Sequence, residues 1–259
     1  MKIFSIAALV LLTGCATMGI DPTNPEPPQV QLAPLADKLA NLPKNAGPAI
    51  PVAVYSFNDK TGQRKPADNM SSLSSAVTQG AEVWVINALK EAGGGGWFIP
   101  LERIELDALV KERQLIRNTR DNYGEKDNSL NPMLFSSVLL AGGIIGYDSN
   151  VAVGGVGARY LGIGAQTEYR IDTVTVSMRI VSVATGEVLL TVATEKSIAS
   201  TRSGSSVFKF LDMGTKALEL EVGTSANEPV NYAVRAAIEA GIIEIIYEGQ
   251  EAELWQFTP

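Results

Sequence analysis

The residues able to do chemistry are few. The chain of 259 residues holds no histidine and a single cysteine, Cys15. Without His there is no Ser-His-Asp triad, no Cys-His pair and no His-ligated zinc. A lone Cys closes no internal disulfide and builds no Cys-rich metal site. The carboxylates Glu195, Glu219, Glu221 and Asp212 could pair as general acid and base. Scattered through a chain of net charge −7, they read as solvated residues instead. Gly155-Val156-Gly157-Ala158-Arg159-Tyr160 begins like a dinucleotide-binding turn, but Tyr160 stands where the third glycine belongs. The surrounding sequence is β-like and offers no helix N-terminus for a phosphate. There is no GxxxxGK[ST] and no GxSxG. The balance of 21 Lys+Arg against 28 Asp+Glu argues against nucleic acid as a partner. No cofactor or metal is expected.

Cys15 has a specific setting. Lys2 is followed by an apolar run from Ile3 to Leu12, then by the small residues Thr13 and Gly14. The run is too short to span a bilayer and matches a signal-peptide core. The order of charge, apolar run, small residues and cysteine separates this from an ordinary signal peptide with a chance Cys. It resembles the lipobox of bacterial lipoproteins, in which the thiol takes a diacylglycerol and the cysteine becomes the acylated N-terminus. Residues 1–14 are then a leader and Cys15 is the lipidation site. More than one acyl chain gives stable anchoring where a single one is marginal. Ala16, rather than Asp, follows the cysteine, which by the lipoprotein sorting rule favours the outer membrane.

The elements that follow must be read from period and punctuation. Residues 15–47 carry Pro22, Pro25, Pro27, Pro28, Pro34 and Pro43, the composition of a surface tether. Pro51–Phe57 alternates as a strand and Asn58–Gln63 is turn chemistry. A helix is expected from a Ser74 or Ser75 cap to about Ala92, with Val77, Ala81, Trp84 or Val85, and Ala88 inward. Gly93–Gly96 reads as a flexible loop ending it. A short strand, Trp97–Pro100, precedes a charged helix with Ile104 or Leu106, Leu109, Val110 and Leu115 at helical spacing, its charges read as a solvated face. Val138–Tyr147 reads as a buried strand. In 171–193, Val174, Val176, Met178 and Ile180 share one face, and Ala184-Thr185-Gly186-Glu187 makes the turn of a core hairpin. A last helix starts at Pro229, runs to about Leu254 and carries Val234, Ile238, Ile242, Ile245 and Ile246; its charges exclude a membrane span.

Segments 148–170 and 194–222 are each long enough for two strands of about ten residues. In the first, Val151, Val153, Leu161, Ile163 and Ala165 share one phase, with Asn150, Gln166 and Glu168 in the other. Pattern alone fits two readings, a soluble antiparallel sheet or a pair of membrane hairpins. Under the second, one chain cannot close a barrel, because open edges are not tolerated in lipid and about eight strands are the minimum.

Gly143–Asn150 followed by Gly154–Ala165 strongly resembles the CsgG family of curli secretion lipoproteins. Leu12-Thr13-Gly14-Cys15, Trp97–Arg103, Ala184–Glu187, Glu221–Val230 and Leu254-Trp255 agree in order, so the resemblance spans nearly the whole mature chain. It implies an α/β periplasmic domain (48–147, 171–193 and 223–259) plus two transmembrane β-hairpins, 148–170 and 194–222, that form part of an oligomeric β-barrel. The implied assembly is a nonamer exporting unfolded curli subunits by ATP-independent diffusion, with periplasmic and surface accessory proteins as partners. In that family a loop before the first long helix narrows the pore with a Tyr and an Asn-Phe pair. The matching segment here is 65–75. Leu73 stands at the Phe position, Ser72 at the Asn position, and Asp68 or Asn69 near the Tyr position, in a loop one residue longer. The implied constriction, formed by Asp68, Asn69, Ser72 and Leu73, therefore lacks aromatic side chains. The other reading is an outer-membrane-anchored binding or scaffolding lipoprotein with no inserted pore.

Overall fold

A computed structural model describes residues 33–64, 75–124, 130–154, 167–203, 208–212, 222–223 and 229–259. A short helix, α1 (Ala36–Ala40), leads into strand β1 (Ile50–Asp59), helix α2 (Glu82–Glu91), strand β2 (Phe98–Glu102) and helix α3 (Leu106–Asn122). Three long strands follow: β3 (Val138–Gly154), β4 (Thr167–Ser182) and β5 (Val188–Ser203). The short β6 (Phe208–Asp212), β7 (Val222–Gly223) and the long helix α4 (Pro229–Glu251) complete the order. All strands belong to one mixed sheet in the order β2-β1-β3-β4-β5-β6-β7. β2 and β3 lie parallel to β1, and every later pairing is antiparallel.

Helices α2 and α4 cover one face of this sheet. α4 packs on β4 and β5, and α2 packs on β1, β2 and α4. The apolar positions read from the sequence are the ones buried: Val234, Ile238, Ile242, Ile245 and Ile246 on α4 against Val174, Val176, Met178 and Ile180 on β4. α4 stops at Glu251, because Glu253 takes a positive φ of 60° and Leu254 N–H turns back to the Gly249 carbonyl at 2.8 Å. By contrast α3 buries none of its residues, in keeping with a charged, solvated helix.

Helix α2 begins later than its serine signals suggest. Ser75 is drawn into an antiparallel bridge with Arg64, and Ala76 N–H donates to the Gln63 carbonyl at 2.9 Å. Pairing across the chain thus wins over capping, and the helix starts beyond Gly80. Val77 and Ala81 are still buried, but they pack from the approach to the helix rather than from its first turns. The glycine run is also no slack loop. Gly93, Gly94 and Gly95 hold φ of 59°, 66° and 86°, and a Cβ on Gly93 would come within 2.5 Å of Trp97 Cδ1. The turn delivers Trp97 into the core, fully buried.

Around Trp97 the two ends of the domain meet. Its indole N–H donates to the Pro43 carbonyl at 2.7 Å, and its ring meets Trp255 and Phe257 edge-on at centroid distances of 5.8 and 5.7 Å. Trp255 donates to the Ile246 carbonyl at 2.8 Å. Asn45 pairs with Phe257 in a β-bridge. Gly249 makes this possible, since any Cβ there would collide with the Trp255 ring.

β3 changes phase along its length. Val138, Leu140 and Ile144 are buried, then Tyr147, because a bulge between Ile144 and Gly146 inserts one residue against β4. Ile145, in the bulge, is half exposed. Gly142 and Gly143 sit where a Cβ would strike the Ser177 carbonyl and the Asn58 carbonyl, so the glycine pair permits close approach of β1, β3 and β4.

Substituting Gly249→Ala should cost about 2–4 kcal/mol, since the clash is with a packed indole. Gly94→Ala, with open space but positive φ, should cost about 1 kcal/mol. Denaturant unfolding followed by tryptophan fluorescence measures both, and equal losses would discount the indole contact.

Candidate functional site

Two features converge at one end of the sheet. The first is the length of the antiparallel strands. β1 ends at Asp59, opposite Ile144, while β3 runs on to Gly154, still paired with β4 down to Thr167. β5 follows β4 to the Thr167–Ser203 pair, and β6 joins β5 only at this end, over Ile198–Arg202. The core thins out here. Tyr147 and Ile198 are buried, and beyond them Asp148–Gly154 continues for about 20 Å at ~3.3 Å per residue. Past Asp59, β3 has no strand on its β1 side among the described residues.

The limit of the covered core carries a buried polar layer. Asp172 and Lys196 are 2% and 6% exposed, and both sit on the face otherwise lined by Val174 and Val176. Tyr147 donates its hydroxyl proton to Asp172 Oδ1 at 3.0 Å. On the opposite face the Thr173 and Ser197 hydroxyls share a bond of 2.9 Å. Thr194 donates to the Ala237 carbonyl on α4 at 2.8 Å. Buried charges persist only when partnered, so this layer fixes the three strands where they leave the helical cover. A slip of one residue would swap its faces.

The second feature is the base of segment 65–74. Lys60 N–H donates to the Ile144 carbonyl at 2.9 Å, which places the start of that segment beside the point where β3 outruns β1. The Arg64–Ser75 bridge joins its two arms. The expected constriction residues Asp68, Asn69, Ser72 and Leu73, and the expected lipidation residue Cys15, lie outside the described residues. So does the Gly155–Tyr160 motif. Of the carboxylates weighed for acid–base chemistry, Glu195 is exposed on β5. An apolar groove of about 280 Å³ between Pro48, Ile50, Val138, Leu189 and Trp255 lies at the other end of the sheet and is lined by no titratable group.

The N-terminal end of the domain is held by a carboxylate. Glu239, 2% exposed, accepts the Leu35 N–H at 2.7 Å and the Arg235 Nε–H at 2.9 Å. Burial raises its pKa above the ordinary carboxylate value; the Leu35 and Arg235 bonds oppose that shift without cancelling it. Sequence reading missed Glu239, Asp172 and Lys196 as buried charges, because nothing local specifies their burial. Asp59 and Thr61 were visible only as turn residues.

These observations define a class: an α/β domain with a one-sided helical cover, whose antiparallel strands continue past their own core. Comparison with known sequences makes this specific. The profile of the family described as "Curli production assembly/transport component CsgG" matches residues 36–258, and the chain belongs to that family. It is 41% identical to the protein of that name from Escherichia coli strain K12 over 260 residues, covering 98% of this chain and 90% of that one. The protein from Salmonella typhimurium strain LT2 is 40% identical over 258 residues, with the same coverage. Among solved structures, a PelC dodecamer from Paraburkholderia phytofirmans aligns with a TM-score of 0.31 at 14% identity, covering 78% of this chain and 92% of that one, too low to argue from.

A raised folded-state pKa means that protonation of Glu239 favours the folded domain. Its contribution is complete below the ordinary carboxylate value of about 4.5 and is lost as pH rises through the raised value. Glu239→Gln should therefore flatten the fall of unfolding free energy between about 4.5 and the raised value. An unchanged slope would remove Glu239 as its source.

Proposed function

We propose that the protein is an outer-membrane lipoprotein, anchored through lipid on Cys15, that assembles into a β-barrel secretion channel for unfolded curli subunits. One observation carries this reading: the ribbon of β3, β4, β5 and β6 outruns the helical cover and leaves β3 without a neighbour on its β1 side among the described residues. Four strands from one chain fall short of the about eight that the smallest membrane barrels need. Lipid leaves no water to satisfy an open edge, so the ribbons of several copies must pair edge to edge. The described extension Asp148–Gly154 supplies seven of the about 9–11 residues that a tilted spanning strand requires. A nonameric ring is the size that the family resemblance implies.

The remaining parts follow from that arrangement. The α/β domain lies in the periplasm, below the barrel, where periplasmic accessory proteins can reach it; surface accessory proteins meet the outer rim. Segment 65–74, whose base sits where β3 leaves β1, narrows the pore through Asp68, Asn69, Ser72 and Leu73. The protein is not an enzyme. Cargo moves by diffusion without ATP, and direction comes from confinement below the pore and folding outside it.

Electron microscopy of detergent-extracted protein should show rings with a central pore. Monomers, or closed oligomers without a pore, would favour the scaffolding lipoprotein instead. In planar bilayers, Leu73→Phe should lower single-channel conductance, because a ring repeats the added bulk in every copy. Unchanged conductance would take this segment out of the constriction.

A further inference from the structure

Of the helices described, α3 alone buries none of its residues. Helices in proteins draw most of their stability from a packed face. α3 is instead held at its start and along one flank. Glu102 Oε1 accepts the Ile104 and Glu105 N–H groups at 2.7 and 2.9 Å, and Arg113 donates to the Asn131 carbonyl at 2.6 Å. Val110, Leu115 and Ile116 stay exposed. Toward its end Arg113, Arg117 and Arg120 follow at spacings of four and three, with no carboxylate between them. They share one stripe about 10 Å long at ~1.5 Å per residue.

Helix α4 carries the complement. No Lys or Arg follows Arg235 in the sequence. Glu244, Glu248 and Glu251 repeat the spacing of four and three, on the face turned away from the buried Ile242, Ile245 and Ile246. Like charges at this spacing repel. Partial burial, then the charges of Glu244 and Glu251, raise the pKa of Glu248. Tyr247 lies among them, exposed. Among the described residues, neither Arg117 nor any of these three glutamates is in an ion pair, so the two stripes do not meet within one chain.

Their places in the fold set them on opposite flanks. β2, which leads into α3, is the outermost strand on the β1 side of the sheet, whereas α4 packs on β4 and β5, toward β6. In a ring that pairs the β3 edge of one copy with the β6 side of the next, those flanks face each other. We propose that α3 of one copy packs across the outer face of α4 of the next, its arginine stripe on Glu244, Glu248 and Glu251 and Ile116 beside Tyr247. This rests on the reading of the protein as a ring. The contact is heterologous, so it repeats around the ring and adds to the strand pairing a second hold between the helical domains.

Full-length protein in detergent, weighed particle by particle over a dilution series, tests the pairing. Arg117→Glu and Glu248→Arg should each raise the concentration needed for assembly several-fold, and added salt should narrow that gap. Both reversals in one chain should return assembly close to parental, because opposite charges again face each other across the contact. A second arm changes no charge. Ile116→Cys combined with Tyr247→Cys should give, on oxidation, a ladder of cross-linked copies that neither cysteine gives alone. Parental assembly in both single reversals, or no recovery in the combined variant, overturns the pairing. So does a cross-link confined to one chain. Should a reversed chain fail to fold, the cysteine pair decides. Parental rings without a ladder discard this contact and leave the channel reading standing, whereas a parental protein that stays monomeric sinks both.

Discussion

A β-edge with no strand beside it among the described residues is the constraint on which this architecture turns. β1 accompanies β3 only as far as Ile144, and β3 then continues to Gly154. Backbone N–H and C=O groups along an edge must find partners, in water or in another chain. The short β2 at the far side of the sheet is a poor template, with Pro100 in its middle and only five residues. The continuing edge of β3 is different in kind, because it is long and begins where the helices stop covering the sheet. A chain that builds such an edge either covers it or pairs it, and the proposed ring is the pairing solution.

The same strands must serve two surroundings, and local devices make the change. In the core, one face of β4 is apolar through Val174, Val176, Met178 and Ile180 and packs beneath α4. At Asp172 that face turns polar while still buried, so the lattice of the sheet is pinned just before the cover ends. The bulge at Ile145 adds a residue to β3 at nearly the same level. Bulges bend a strand and increase its twist, which lets β3 part from β1 without breaking its ladder to β4. The glycine pair Gly142-Gly143, one step earlier, lets the three backbones lie close enough for that ladder to start in register.

Much of this was legible in the residues and some of it was not. Period-two patterning gave β4 its inward face, and helical spacing gave α4 its stripe, because both elements bury one continuous side. The start of α2 was misread, since Ser75 carries a capping side chain whether or not a strand-like partner such as Arg64 is present. The glycine run looked slack because only the position of Trp97 shows why three left-handed residues are required. Asp172 and Lys196 share the inward phase of β4 and β5, yet nothing local showed that a charge at these positions, or at Glu239, is buried. Each is a charged residue whose role depends on partners far away in sequence, such as Leu35 for Glu239. At the candidate site, turn chemistry at Asn58–Gln63 was visible, but the bond from Gln79 to Asp59 was not, because nothing local specifies it.

Segment 65–75, proposed as the constriction, departs in sequence from the motif that the family resemblance supplies, while the sequence around it agrees. Physics allows that separation. The base of the segment is held by backbone pairing at Arg64–Ser75, by one carboxylate and by the bond from Lys60 to Ile144, none of which depends on the side chains at the tip. The side chains of 65–74 can then change in size and polarity without a cost to these bonds. In the proposed ring their effect would be multiplied by the copy number, and so would the cost of a misplaced base. In the proposed channel, a fixed base with variable side chains at 65–74 would let one scaffold carry pores of different width. Under the proposed function, the absence of aromatic side chains at Ser72 and Leu73 bears on what a channel would admit, not on the described scaffold.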